Sequence, residues 1–354
     1  MDTFSFSIPD GTCSVVFYPE LTVPSLPPSG GLYVVDTNTA SLLRRALNGA
    51  EAANTVVIEA GEANKTLASV ERILSRALEL GLARDSLFVG VGGGVITDMT
   101  AFAASLYMRG ARLELVPTTL LAMADAAVGG KTGVDYGNSK NCVGTFYPAS
   151  SIHVCPSVLA SLSEAEYRSG LAEVVKTALL YAPKLYEILK NRSDEVLSRN
   201  ESLMLEVVKR CVQAKARVVE RDLRESGERM YLNLGHTFAH ALESVAGFGT
   251  VTHGEAVAWG IARAHALGER LGVTDGEFAR DTRETLSAYG WCVEPIHPSI
   301  KDRFEATEGA RLLLEAMKSD KKKKGGAVRF ILQREMNSTF ASVVEDADVL
   351  GILT

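Results

Sequence analysis

Hydrophobic positions fall into two textures along the chain. Up to about residue 116, short unbroken apolar runs alternate with amphipathic stretches. The runs at 14–18, 32–36, 55–58, 87–91 and 113–116 are rich in valine, leucine and isoleucine and predict strands. The stretches between them, at 39–50, 67–80 and 96–106, carry their apolar residues at helical spacing. Continuous apolar strands separated by helices predict a parallel sheet covered on both faces, a Rossmann-like layer. Beyond residue 160 the alternation stops, and 164–181, 185–189, 201–220, 237–245, 255–271 and 275–289 all read as helices. The expected architecture is α/β plus α. A Rossmann-like parallel-sheet domain occupies 1–160, an all-helical metal- and substrate-binding domain occupies 161–354, and the active site is expected in the cleft, where ligands commonly bind.

Composition narrows the partners. A chain of 354 residues suits two domains, and 46% hydrophobic with 23% charged residues is ordinary for a globular protein. A net charge of −6 argues against nucleic acid as a partner, though a basic pocket fits within an acidic protein. The one dense basic run, four lysines at 321–324, reads as a solvated face. The five scattered cysteines form no Cys-x-x-Cys pair, which predicts reduced thiols and a cytoplasmic location. The N-terminus lacks the pattern of a signal peptide. No run approaches the roughly 20 apolar residues of a membrane span, so no membrane partner is expected.

Three stretches carry candidate chemistry. The run 87–91 leads into Gly92-Gly93-Gly94-Val95, which opens a helix. Glycines there let backbone N–H groups approach a pyrophosphate, although the third glycine of the dinucleotide fingerprint is missing. Asp36, at a strand end, suits a ribose hydroxyl, and Gly61-Glu62-Ala63-Asn64-Lys65 suits the adenosine edge. Gly130-Lys131-Thr132 resembles the end of a P-loop, but Asp125 stands where its first glycine would be, so a P-loop ATPase is excluded. Three of the six histidines cluster as His236, His240 and His253. His236 and His240 share a helix face, as two ligands of one ion would, or as two ordinary surface histidines would.

These blocks, read in order, resemble the 3-dehydroquinate synthase family of the sugar phosphate cyclases. The resemblance is carried by Gly61-Glu62-x-x-Lys65, Gly92-Gly93-Gly94-Val95-x-x-Asp98, Tyr107-Met108-Arg109-Gly110, Pro117-Thr118-Thr119-Leu120-Leu121-Ala122, Asp125-x-x-x-Gly129-Gly130-Lys131-Thr132-Gly133 and Lys140-Asn141. It continues through Leu171-Ala172-Glu173-Val174-Val175-Lys176, Leu232-Asn233-x-Gly235-His236-Thr237-Phe238-x-His240, His253-Gly254-Glu255 and Asp320-Lys321-Lys322. Each block alone is common; their order and spacing over residues 61–322 are specific. Asp135 stands where the family usually has asparagine, and Ala239 and Ala101 stand where it has glycine. The proline often found near Ser163 is absent.

The resemblance implies a carbon–oxygen lyase of the shikimate pathway. Such an enzyme uses NAD and one divalent metal, zinc or cobalt, to convert 3-deoxy-D-arabino-heptulosonate 7-phosphate to 3-dehydroquinate and phosphate. It implies Glu173, His236 and His253 as metal ligands, so the histidine pair is split and His240 goes to the substrate phosphate. Lys131, Asn141 and Asn233 join the phosphate end, with Arg109 reaching in from the second subunit of a homodimer. Lys215, Arg229 and Lys321 take the carboxylate and hydroxyl end. Asp125 and Lys176 lie near the reacting hydroxyls, and the departing phosphate acts as the base for its own elimination. Cofactor contacts are carried onto Asp36, Glu62, Lys65, Gly93, Gly94, Val95, Asp98, Thr118, Thr119, Asp125 and Lys140. Two rival activities share this fold: another sugar phosphate cyclase, and a metal-dependent polyol or alcohol dehydrogenase. A third alternative is an inactive homologue that serves as an NAD-binding or scaffold protein.

Overall fold

A computed structural model describes the chain except Met1, Asp10, Asn138, Phe248 and residues 50–52 and 323–327, together with the side chains of 320–322. The chain divides into two units: Met1–Ser163 with Met204–Glu225, and Glu164–Leu203 with Ser226–Thr354.

The first unit is built on a seven-stranded sheet. In chain order its elements begin with β1 (Asp2–Ile8), β2 (Gly11–Phe17), β3 (Gly31–Asp36), α1 (Ala40–Ala46), β4 (Thr55–Ile58) and α2 (Leu67–Glu79). They continue with β5 (Leu87–Gly92), α3 (Gly94–Leu106), β6 (Arg112–Pro117), β7 (Lys131–Tyr136), β8 (Ser139–Phe146) and β9 (Ser151–Val154). The sheet order is β1-β2-β9-β6-β5-β3-β4, parallel throughout except for β1, which pairs antiparallel with β2. The five predicted strands are all present. β5 is buried along its whole length, which is why its sequence is uniformly apolar rather than alternating. Tyr33, Val35, Leu87, Val89, Val91 and Val116 pack as one cluster with Leu43 of α1. β1 escapes the hydrophobic pattern because it is a largely exposed edge strand.

The order β6-β5-β3-β4 places a topological switch between β3 and β5. Ligands of open α/β sheets bind at the carboxyl ends of strands at such a point. Asp36 and Gly92 end those two strands.

The second unit is helical: α4 (Glu164–Tyr181), α5 (Pro183–Asn191), α6 (Ser193–Leu197), the start of α7 (Glu201–Arg221), α8 (His236–Ala246), α9 (His253–Arg270), α10 (Gly276–Ala288), α11 (Pro298–Lys301) and α12 (Ala306–Lys322). It is not entirely helical, because β10 (Arg329–Glu335) and β11 (Ser338–Val343) form an antiparallel ribbon before α13 (Asp346–Gly351). A single cut near residue 160 also misplaces α7. From Met204 onward this helix belongs to the first unit, where Glu220 Oε1 accepts from Ser7 N at 2.8 Å and Lys209 pairs with Asp2. Helical periodicity names an element but not its neighbour, so that partnership was invisible in the sequence.

Candidate active site

In the second unit, two close backbone crossings set the geometry. α4 and α9 meet where Gly254 passes Ser169: a Cβ on Gly254 would stand 2.1 Å from the Ser169 carbonyl oxygen. Ser169 Oγ accepts the Gly254 N–H at 3.0 Å. Gly235 is left-handed, with φ of 80°, and a Cβ on Gly260 would stand 2.2 Å from its oxygen. These glycines bring the first residue of α8, His236, and the first residue of α9, His253, to the middle of α4. Thr252 caps α9, its hydroxyl accepting from Glu255 N at 3.2 Å.

What α4 presents there is Glu173, only 1% exposed, with Lys176 one turn on, 2% exposed and ion-paired with it. His253 Nε2 lies 3.4 Å and His236 Nε2 3.7 Å from Glu173 Oε1. One ligand atom from each of the three residues lies within 4.8 Å of the other two. Burial favours the protonated acid at Glu173, but the Lys176 charge and the histidines outweigh it and hold the carboxyl well below its usual range. Burial and the Lys176 charge keep His236 well below the usual imidazole value, so its ring is neutral. Burial acts the same way on His253, but its contacts with Glu173 and Glu243 prevail and raise it to about 9.

The donor set tests whether an ion fits. Neither oxygen of Glu173 accepts a well-formed hydrogen bond, although both are in ion-pair range of a cation. Two imidazoles and one carboxylate match a catalytic metal site with open positions, so Glu173, His236 and His253 fit a divalent metal. His240, one turn along α8, is exposed, with its ring 5.5 Å from that of His236, and is not part of the candidate ligand cluster among the described residues. Asn233 and the buried Arg229 lie in the short turn Glu228–Asn233 that leads into Gly235. The side chain of Lys321 lies outside the described residues.

In the first unit, the candidate cofactor residues gather at the strand ends. Gly92 is required by packing, since a Cβ there would lie 2.6 Å from the Ile96 Cβ, and Gly93 sits tightly, its Cβ position 3.0 Å from Thr119 Cγ2. Gly94 and Val95 open α3 immediately after them. The Thr118 hydroxyl, at the end of β6, is buried without a hydrogen-bond partner, an orphaned polar atom of the kind a bound nucleotide satisfies. The Thr119 hydroxyl accepts from Ala122 N at 3.1 Å. Asp36 uses Oδ1 to hold its own turn, accepting from Asn38 N, Thr39 N and the Thr39 hydroxyl. Glu62 and Lys140 are exposed.

Lys65 is buried, its Nζ 2.6 Å from Asp98 Oδ2 and 2.5 Å from Asn141 Oδ1. Burial pulls this ammonium down, but the charges of Asp98 and Glu62 outweigh it and hold it above its usual value. Burial pushes the Asp98 carboxyl up to about 6 against the pull of Lys65. Asp135, set apart in the sequence only as a departure, accepts the Asn141 N–H at 2.7 Å and so supports that residue's left-handed φ of 53°.

Lys215 of α7 is also buried and donates to Asp125, to the backbone oxygen at 2.5 Å and to Oδ1 at 2.7 Å. Asp125 sits in a π-helical turn, Ala122–Ala126, a local distortion frequent at functional sites. Lys131 starts β7 and is ion-paired with Glu225, which was not among the expected residues. Glu225 has a left-handed φ of 57° in a segment with no helical or strand pattern, so no sequence signal marked it. Glu243 was missed too, though its place seven residues after His236 put it on the same helix face. Arg109 is exposed, and it and Met108 are consecutive left-handed residues, with φ of 63° and 49°.

Residues 55–169 match the family model for the N-terminal part of 3-dehydroquinate synthase, and residues 170–323 match the model for its C-terminal part. A 3-dehydroquinate synthase of Rippkaea orientalis is 39% identical over 298 residues, spanning 84% of this chain and 79% of that protein. One from Acidithiobacillus ferrooxidans is 37% identical over 339 residues, spanning 94% of this chain and 90% of that protein. Among solved structures, 2-epi-5-epi-valiolone synthase of Streptomyces hygroscopicus, with NAD+ and Zn2+ bound, is similar with a TM-score of 0.83 at 28% identity, covering 96% of this chain and 95% of that one.

Proposed function

We propose how this chain, which belongs to the 3-dehydroquinate synthase family, divides the work of its reaction among its residues. The activity is the lyase conversion of 3-deoxy-D-arabino-heptulosonate 7-phosphate to 3-dehydroquinate and phosphate, with NAD and one divalent metal as cofactors. Bound NAD would supply reversible hydride exchange at a ring carbinol with no net redox change, and a metal held by Glu173, His236 and His253 would supply Lewis-acid polarisation of the carbinol oxygen. The single observation that carries the site reading is the convergence of Glu173, His236 and His253, which we take as the ligands of a zinc or cobalt ion.

The remaining roles follow from the substrate's two anionic groups, which need cations inside an acidic protein. Lys131, Asn141, Asn233 and His240 take the phosphate; Lys215, Arg229 and Lys321 take the carboxylate and hydroxyls. The buried Lys176 keeps Glu173 ionised, and Lys215 holds Asp125 toward the hydroxyls. Asp36, Glu62, Lys65, Gly93, Gly94, Val95, Asp98, Thr118, Thr119, Asp125 and Lys140 hold NAD, with the orphaned Thr118 hydroxyl as the local support. The working form is a homodimer in the cytoplasm. Leu106, Met108, Tyr136 and Phe146 are exposed on α3, the turn after it and the β7–β8 ribbon packed on α3, and this apolar exposure beside the left-handed pair at 108–109 supports a subunit interface in which Arg109 serves the neighbouring site. Backbone strain of this kind persists where function requires it.

The purified protein with the heptulosonate phosphate, NAD+ and Zn2+ should release phosphate without accumulating NADH, and chelation should abolish turnover. Stoichiometric NADH would point instead to a dehydrogenase, and turnover of a sugar phosphate lacking the carboxylate would point to another cyclase. Inactive Arg109→Ala and inactive Glu173→Gln proteins should regain activity when mixed as subunits. Mixtures that stay dead would exclude a shared site.

A further inference from the structure

We infer that Glu243 is a positioning residue for the metal site: its carboxylate fixes the ring and the tautomer of His253. This deepens the reading of Glu173, His236 and His253 as metal ligands and rests on it.

A neutral histidine that offers one ring nitrogen to an ion must carry its proton on the other. Both histidines turn Nε2 toward Glu173, so both must carry the proton on Nδ1 to bind there. Each Nδ1 faces an acceptor. For His236 it is the Leu234 carbonyl, at 3.3 Å. For His253 it is Glu243 Oε2, 3.7 Å away and so in ion-pair range, on a residue 6% exposed. An ionised carboxylate only accepts hydrogen bonds, so it selects the tautomer with Nδ1–H.

The two histidines differ in how much the fold constrains them. The His236 side chain is 14% exposed and its acceptor is backbone two residues away, set by the turn into α8. The His253 side chain is 33% exposed, and its acceptor comes from another helix. α8 therefore supplies a ligand from its first turn and, seven residues later, the group that orients a ligand on α9. Outer carboxylates of this kind raise ligand basicity and hold ring orientation.

The test uses metal-free Glu243→Gln, Glu243→Ala and His253→Ala proteins. Zn2+ affinity is measured by competition with a chromophoric chelator, and Co2+ binding by its visible absorption bands. Glu243→Ala should bind Zn2+ about 10–100-fold more weakly than wild type. Glu243→Gln, whose carbonyl still accepts a hydrogen bond, should fall between them. The Co2+ bands should shift in the same order, while the melting temperature of metal-free Glu243→Gln stays at the wild-type value. Wild-type Zn2+ affinity and Co2+ bands in Glu243→Ala, with binding lost in His253→Ala, would overturn the role of Glu243. Should Glu243→Ala fail to fold, an unchanged affinity and spectrum in Glu243→Gln would do the same. Wild-type binding by His253→Ala would instead sink the reading of the ion site, and this inference with it.

Discussion

Glu173→Gln offers the sharpest separation of what holds the fold from what holds the ion. Glu173 and Lys176 are both within 2% of complete burial and are paired. Removing one partner of a buried pair costs about 3–5 kcal/mol, because the other charge is left in a poor solvent. Glutamine keeps an acceptor near the ammonium, so the lower end, about 3 kcal/mol, is expected for the metal-free protein. Replacing both partners should behave differently, since a buried pair exchanged for neutral groups of similar size is often neutral to stability. Glu173→Gln/Lys176→Met should therefore unfold within about 1 kcal/mol of wild type, and with about 3 kcal/mol lost in each single variant the coupling is about 5 kcal/mol. The assay is urea unfolding in chelator, followed by far-UV circular dichroism, for wild type, both single variants and the double variant. In parallel, Zn2+ titration should show weakened binding in Glu173→Gln and in the double variant alike. Stability that recovers while metal binding does not is the signature expected. A Glu173→Gln protein as stable as wild type, or a double variant as unstable as the sum of the singles, would refute the reasoning.

Asp98 gives a pH dependence of definite sign. Its carboxyl titrates at about 6 in the fold against about 3.9 unfolded, so the folded state binds the proton more tightly. The stabilisation is complete below the unfolded value and is lost as pH rises through the folded one. Relative to Asp98→Asn, wild type should thus lose about 2 kcal/mol between pH 4 and pH 7.5, read as a fall in its melting temperature relative to that of the variant. A difference that stays constant, or that moves in favour of wild type as pH rises, would contradict the raised pKa of this carboxyl. Gly254→Ala should force α9 away from α4, destabilising by about 1–3 kcal/mol. It should also weaken Zn2+ binding, because His253 is the next residue; a melting curve and titration matching wild type would show that the crossing is not tight. Asp135→Asn keeps the acceptor for the Asn141 N–H and removes a charge near the proposed phosphate residues. It should lower KM with kcat unchanged, and an unchanged KM would remove any electrostatic role for that departure.

Much of this protein was legible before its coordinates. Unbroken apolar runs such as 87–91 marked strands buried on both faces, and the ordered blocks of polar residues marked the family. These signals are local, since burial and helical spacing are written residue by residue. Local signals also misled. Two histidines four apart on α8 suggest one ion, yet the candidate ligand cluster among the described residues omits His240 and takes His253 from the start of α9 instead.

Tertiary structure decided the partnerships. The glycines of the site do their work through neighbours distant in sequence, Gly254 against Ser169 and Gly235 against Gly260, and no spacing rule pairs them. α7 reads as one more helix of the helical half, but its apolar and charged faces belong to the sheet unit, where Lys215 reaches Asp125. Glu225 and Glu243 acquire meaning only from the lysine and the histidine beside them. Sequence alone therefore determined which chemistry the chain carries, because residue types and their order persist along it. Which side chains share a charge, a proton or an ion depended on contacts between distant segments, and those exist only once the chain has packed.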